Sequence, residues 1–162
     1  MGKLLQILAF VSVSGLAFAG DLERARDLFQ RTDYGAALQI LQQIPNKDAE
    51  VWEWIGRTHY MSGDFKKATE HLEKAAAADP NNSEYHHWLG RAWGRRAETS
   101  SWLTAIQYAR KTRDSFEKAV ALNPHNMDAV NDLFEYYLEA PGFLGGGLDR
   151  AAALSLKIRE SD

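Results

Sequence analysis

The sequence predicts an all-α fold: a solenoid of about four stacked helix–turn–helix units, the third with an extended second helix. Two self-alignments predict it. At a shift of 34 residues Glu50 meets Glu84, Trp54 meets Trp88, Gly56 meets Gly90 and Arg57 meets Arg91. At a shift of 44, residues 72–82 lie on residues 116–126 with six of eleven positions identical. The two shifts differ by a ten-residue insertion between Gly90 and Phe116. A fixed period of roughly 20–50 residues marks units that bury their apolar faces only by stacking. Composition agrees: 162 residues with 45% hydrophobic side chains, five Trp, six Tyr and seven Phe have ample surface to bury.

Residues 1–19 stand apart from the array. Lys3 precedes an apolar run from Leu4 to Ala19 that ends Ala17-Phe18-Ala19, the small–any–small pattern of a signal peptidase site. A secretory signal peptide cleaved after Ala19 is the expectation, leaving the array to fill residues 20–162. The run is 16 residues long. A bilayer span needs about 20, so an uncleaved anchor fits less well. A first core helix, apolar all round, fits least. Cleavage takes the formal charge from −3 to −4, since Lys3 leaves and 18 basic residues then face 22 acidic ones. Neither value gives an electrostatic case for nucleic acid. The absence of cysteine excludes disulfides, thiol catalysis, thiolate zinc sites and lipid attachment through an N-terminal Cys. A cysteine-free exported chain suits a bacterial envelope better than a disulfide-dense secreted class. The protein is therefore expected to be periplasmic or secreted, with no membrane span once the signal is removed.

The first unit, residues 21–45, carries Ala25 as its small residue, then Tyr34 and Ala37, and its second helix is about one turn short. The second, 46–82, is the clearest. Trp52, Ile55 and Gly56 precede Gly63-Asp64-Phe65, Ala68, Leu72, Ala75 and Pro80. Gly56 and Ala68 are small where two helices must cross closely, and larger neighbours fill the flanking grooves. Gly63-Asp64 makes the turn and Pro80 ends the second helix. The third unit, 83–126, keeps Gly90, Phe116, Ala119 and Pro124. Within it Thr99-Ser100-Ser101 offer hydroxyl N-caps. Leu103, Ile106, Arg110, Arg113, Phe116 and Val120 recur every three or four residues, which predicts one helix from about Trp102 to Leu122. Residues 91–113 hold six Arg or Lys and one acid, Glu98, so this protrusion is basic. The fourth unit, 127–162, matches at Leu133, Tyr137, Gly146, Leu148 and Ala151. Phe134 stands where a small residue is expected, and Ser155 where Leu72 would be, flanked by Leu154 and Leu156. The step from Gly63 to Pro80, repeated from Gly146, passes Asp162. Arrays normally end in a polar cap, so further C-terminal chain or a partner is expected to cover the last unit.

These residues resemble the tetratricopeptide repeat (TPR), with His59 in place of the usual tyrosine. The long third unit followed by Ala140-Pro141-Gly142-Phe143-Leu144-Gly145-Gly146-Gly147 is similar to a group of exported bacterial TPR proteins of undefined function. The resemblance implies that the first helix of each unit lines a concave groove. Its groove positions would be Trp54, Arg57 and Tyr60 in the second unit, Trp88, Arg91 and Arg95 in the third, and Asp128, Asp132 and Glu135 in the fourth. With Glu139, the last three step by one helical turn and form an acidic stripe. The groove is thus expected to be aromatic and basic in the middle and acidic at its C-terminal end. The lysine- and asparagine-rich carboxylate clamp of the family's chaperone-tail binders is absent.

Competing readings have their own physics. Trp54 and Trp88 suit packing between neighbouring first helices, Arg57 and Arg91 suit pairing with Glu53 or Glu84, and charge stripes are usually solvated faces. Chemistry finds little footing. Gly145-Gly146-Gly147 lacks the Gly-Lys-Ser/Thr of a P-loop and follows no strand, which leaves an inter-helix turn. Glu84-x-x-His87 puts two ligand types on one face, but di-iron bundles need two such motifs and more glutamates. No serine sits in a nucleophile elbow. The expected function is therefore a non-catalytic interaction module or scaffold that takes a partner protein or peptide in its groove. No cofactor or metal is expected. The alternative is a structural component that self-associates, or docks into an envelope assembly, through the basic long helix.

Overall fold

The computed structural model describes residues 20–161. The expected signal peptide lies outside them. Eight helices follow in order: α1 (residues 20–30), α2 (Tyr34–Gln43), α3 (Ala49–Met61), α4 (Phe65–Ala78), α5 (Ser83–Glu98), α6 (Trp102–Leu122), α7 (Met127–Glu139) and α8 (Leu148–Ser161), with a short 3₁₀ turn at Gly142–Leu144 before the last. They form four antiparallel hairpins stacked side by side. The inter-helix turns follow the sequence cues. Asp33, Asp48, Asp64, Asn82 and Asn126 each accept a hydrogen bond from a backbone N–H in the first turn of the next helix, which satisfies a donor that the helix itself cannot. Gly63 adopts φ +80° at the α3–α4 turn, a conformation that costs glycine little.

The insertion is helical, as its periodicity predicts, but it is divided between two helices. α5 has 16 residues against 13 in α3, and α6 has 21 against 14 in α4, so the extra three and seven account for the ten. Ser101 stands at the N-cap of α6, yet it makes no capping bond to the backbone. Its hydroxyl lies 3.2 Å from that of Thr104 instead.

The second and third hairpins close through a missing side chain. A Cβ placed on Gly56 would come within 2.5 Å of Leu72, and one on Gly90 within 2.5 Å of two ring atoms of Phe116. Ala68, Leu72, Phe116 and Ala119 are buried at these crossings. The core is correspondingly divided, one apolar cluster to each joint. Leu22, Ala25, Leu41, Val51 and Ile55 join the first two units. Leu72, Tyr85, Trp88, Leu89 and Trp93 join the next, and Phe116, Val120, Val130, Leu133 and Tyr137 the last.

The fourth unit departs from this pattern where the sequence does. Phe134 is only partly buried, and a cleft of about 380 Å³ opens beside it, lined by Met127, Val130, Leu154 and Ser155 among others. Leu154 is buried and supplies the contact that Ser155 cannot, whereas Leu156 is exposed. The turn glycine is not Gly146. Gly145 and Gly147 take the positive φ values, +91° and +148°. Gly146 is pressed against the Ala140 carbonyl, which a Cβ would meet at 1.7 Å.

On the outer side of the second unit three rings stack face to face. His71 lies between Trp52, 5.4 Å away, and His59, also 5.4 Å away. Burial first, then Lys74 and His59, push the His71 imidazole down from 6.5 to about 4. Burial lowers His59 as well, with Lys67 adding to it against the pull of Asp64 and Glu70.

Two predictions follow from the packing. Gly90→Ala should destabilise by about 1–3 kcal/mol through overpacking, although alanine is the better helix former by about 1 kcal/mol. Gly94→Ala, whose Cβ would stop 3.6 Å from Thr112, should instead stabilise by up to about 1 kcal/mol. Urea unfolding of the two variants side by side checks the opposite signs. The second concerns acid. Folded His71 protonates near pH 4 and its unfolded counterpart near 6.5. Its contribution is therefore fully present above pH 6.5 and drains away as pH falls toward 4. Tm should fall between pH 7 and pH 5, and His71→Phe, which keeps the ring stack, should flatten that slope in calorimetry.

Candidate functional site

The first helices α1, α3, α5 and α7 line one face, and α3 and α5 set flat cationic and aromatic groups into a single ladder. The Arg26 guanidinium lies 5.3 Å from the Trp54 ring. Arg57 is held between Trp54 at 4.3 Å and Trp88 at 4.4 Å. Arg91 follows, 4.5 Å from Trp88 and 5.3 Å from Tyr60. Trp54 and Arg57 are three residues apart on one helix, Trp88 and Arg91 three apart on its neighbour, so each pair shares a face and the two interleave.

Carboxylates complete the ladder. Arg26 pairs with Glu23 and Glu50. Arg57 donates to Glu53 at 3.0 Å and lies 3.8 Å from Glu84. Trp88 Nε1 donates to Glu84 at 2.8 Å. Glu53 is only 5% exposed. Burial pushes its carboxyl above the ordinary range, against the opposing pull of Arg57. Between α5 and α7, His87 Nε2 donates to Asp132 at 2.8 Å, and Arg91 reaches the same carboxylate oxygen at 3.7 Å. Trp54, Arg57, Trp88 and Arg91 thus hold one another as well as the helices that carry them. Of the competing readings, ring packing between the first helices is present and so is the pairing of Arg57 with Glu53 and Glu84, whereas Arg91 pairs with Asp132 instead.

Beyond the ladder the same face opens into a cleft of about 270 Å³ between α5 and α7. Tyr60, Arg91, Gly94, Arg95 and Glu98 line one wall, and Asp132, Glu135, Tyr136 and Glu139 the other, with Thr112 and Phe116 of α6 completing it. Five of the nine groove residues named from sequence meet here: Tyr60, Arg91, Arg95, Asp132 and Glu135. Trp54, Arg57 and Trp88 lie in the ladder alongside. Asp128 is exposed near the start of α7 and is not part of the lining. Arg95 sits 5.0 Å from the Phe65 ring and pairs with Glu98. Glu135 and Glu139 are exposed and pair with no cation among the described residues. The sequence reading missed Arg26, Gly94, Thr112 and Tyr136. Arg26 did carry a signal: it follows the small residue Ala25 as Arg57 follows Gly56 and Arg91 follows Gly90. The weaker first repeat obscured it.

A family model described as Regulator of microtubule dynamics protein 1-3 matches residues 21–133. The chain belongs to this family. Among curated proteins it is similar to the Sol locus transcriptional repressor of Clostridium acetobutylicum, 30% identical over 95 residues, which cover 59% of this chain and 27% of that protein. The chain thus spans about a quarter of the length of the curated relative it matches. Among solved structures it is similar to TTC0263, a thermophilic TPR protein of Thermus thermophilus, with a TM-score of 0.71 and 19% identity over 87% of this chain and 72% of that one. It is also similar to the second TPR domain of human RPAP3, solved with an HSP70 peptide, with a TM-score of 0.63 and 15% identity over 76% and 97%. These likenesses carry the fold: the chain is a TPR solenoid.

The remaining chemical candidates are occupied structurally. Glu84 accepts from Trp88, and His87 is engaged with Asp132. Among the described residues no group of three or more His, Asp or Glu is placed to hold a metal ion. The glycine-rich loop directs its N–H groups inward, Gly145 to Gly142 O, Gly146 to Pro141 O and Gly147 to Tyr137 O. Arg113 and the Tyr136 hydroxyl both donate to Leu144 O and pin this loop against α6.

The ladder predicts its own weakest point. Arg57→Ala removes a guanidinium from between two indoles and strips a nearly buried carboxylate of its partner. It should cost about 2–4 kcal/mol. Arg57→Lys should recover less than half, because an ammonium cannot lie flat between rings while donating to Glu53. Thermal unfolding of the two variants measures both effects.

Proposed function

We propose that the chain is a non-catalytic interaction module whose concave cleft takes an extended segment of a partner protein. The observation that supports this most directly is the facing of a guanidinium wall and a carboxylate wall across one cleft, presented by rigid helices. The RPAP3 domain, of the same fold, was solved with a peptide. The ladder refines which chemistry suits. Arg57 is enclosed by rings and carboxylates and Arg91 already faces Asp132. The groups left accessible are Arg95, which shares its wall and an ion pair with Glu98, and Glu135 and Glu139 on the facing wall. A partner segment carrying both charge signs, with an apolar residue against Tyr60 and Phe116, fits this lining. Trp54, Arg57 and Trp88 serve as its support and fix the spacing between α3 and α5.

The apolar run that ends in Ala17-Phe18-Ala19 supports export, and the lack of cysteine supports a bacterial envelope as the destination. The transcriptional repression named for the clostridial relative stays with that protein, of which the match covers 27%.

The test is capture of the native partner from the envelope by the tagged protein. Arg95→Glu combined with Glu135→Lys reverses both walls at exposed positions, so Tm should move little while capture falls at least about tenfold. Undiminished capture by the folded double variant removes the cleft from consideration.

A further inference from the structure

The chain's five tryptophans are used in two ways. Four carry a cation over the ring: Lys74 on Trp52, Arg57 on Trp54 and on Trp88, and Lys111 on Trp93. Trp102 has no such partner among the described residues and is 71% exposed, and Leu103 beside it is 62% exposed. Both sit at the start of α6, on the far end of the longest hairpin. Ten residues of helix separate Leu103 from Arg113, where the fourth unit's loop is pinned. At 1.5 Å per residue the tip stands about 15 Å beyond that loop.

Charge is segregated to the same tip. Lys111 is paired with Glu73 and Arg95 with Glu98, which leaves Arg96, stacked on Trp93 and Tyr108, and Arg110 as positive charges without a carboxylate partner among the described residues here, on a chain whose net is −3. Arg110 is exposed and pairs with no carboxylate among the described residues. Leu103 and Arg110 are seven residues apart, two turns, so they share one face of α6.

An occupant of this tip must accept a tryptophan and a leucine and must be negative. A second copy meeting tip to tip would bring the Arg96 and Arg110 charges of both copies together, which costs energy rather than yielding it. An anionic bilayer offers both features. Indole partitions to the level of the headgroups, leucine leaves water below them, and basic side chains are drawn to the negative surface. We propose that the α5–α6 tip is a membrane-docking finger that seats Trp102 and Leu103 in the interface of an anionic bilayer, with Arg110 among the headgroups. This is peripheral attachment: among the described residues no helix is long and apolar enough to cross a membrane. It does not rest on the partner-binding cleft, which lies between α5 and α7.

The experiment must report on Trp102 itself, because the apolar run at residues 4–19 could hold the full chain to lipid. The readout is the emission of the wild-type chain minus that of Trp102→Phe. Vesicles of phosphatidylcholine with about one-third phosphatidylglycerol are added, with and without brominated acyl chains. The difference emission should shift to the blue and be quenched by the brominated lipid. Leu103→Ala should weaken this response about tenfold. Arg110→Glu should weaken it by about tenfold or more on these vesicles, with little effect on pure phosphatidylcholine. Three results overturn the proposal. One is a difference emission unchanged on vesicles that sediment the chain, meaning that the N-terminal run alone attaches it. Another is a blue shift that grows with protein concentration without lipid, meaning that a second copy covers the tip. The third is protection of Trp102 by a captured partner protein while vesicles leave it exposed.

Discussion

The closeness with which two helices of one hairpin cross sets everything on the concave face. Gly56 and Gly90 have no room for a methyl group: a Cβ on either would sit 2.5 Å from the facing Leu72 or Phe116. That contact fixes α3 on α4 and α5 on α6 at a short distance, and the stacked hairpins then bring α3 and α5 side by side. Residues three apart on one first helix can meet residues three apart on the next only at such spacing. Widening a crossing by the thickness of a side chain would pull the Trp54 and Trp88 rings off the Arg57 guanidinium, since cation–π attraction needs separations within about 6 Å. The fourth unit shows the alternative. With Phe134 in the small position, its two helices leave a cleft of about 380 Å³ between them.

The ladder has a consequence for recognition. A groove rich in arginine and tryptophan looks from sequence like a surface waiting for acidic and apolar groups. Once folded, the guanidinium of Arg57 has an indole on either side and two glutamates in reach. Its charge is already compensated, and its removal would expose Glu53 to an unfavourable burial. The groups that give the ladder rigidity are thereby withdrawn from ligand contact, and the accessible charges move outward to Arg95, Glu135 and Glu139. Rigid support and adaptable contact are then carried by different residues of the same helices.

The fold was legible because the repeat signals are physical necessities. Small residues mark crossings, Asp and Asn mark helix starts, and the three- and four-residue period marks the faces. The long helix α6 runs from Trp102 to Leu122, as its periodicity predicts. What stayed hidden were quantities that depend on two elements at once. The sharing of the insertion between α5 and α6 follows from where the turn falls, and three adjacent hydroxyl residues allowed several places. Gly146 aligns with Gly63 by count, but the extra 3₁₀ turn at Gly142–Leu144 moves the positive φ to its neighbours. Five of the nine groove residues share a cleft because helical spacing from a correct start places them. The floor of that cleft, Thr112 and Phe116, comes from the second helix and has no signature in the first-helix pattern.

The insertion also shows why an array can carry a second kind of surface without disturbing the first. Each joint has its own apolar cluster, and stability in such arrays sums over neighbouring contacts. Turns added at the outer end of one hairpin lie beyond every joint, so their composition is not constrained by packing. Inside the array a tryptophan must find a partner for its ring face, and Trp52, Trp54, Trp88 and Trp93 each have a cation. Beyond the array that requirement lapses, and Trp102 stands in solvent next to Leu103. Trp93 lies inside α5 and packs against Tyr108 of α6, whereas Trp102 is the first residue of α6. Only its position past the last inter-helix contact separates a core residue from an exposed one, and that position is set by the length of the insertion.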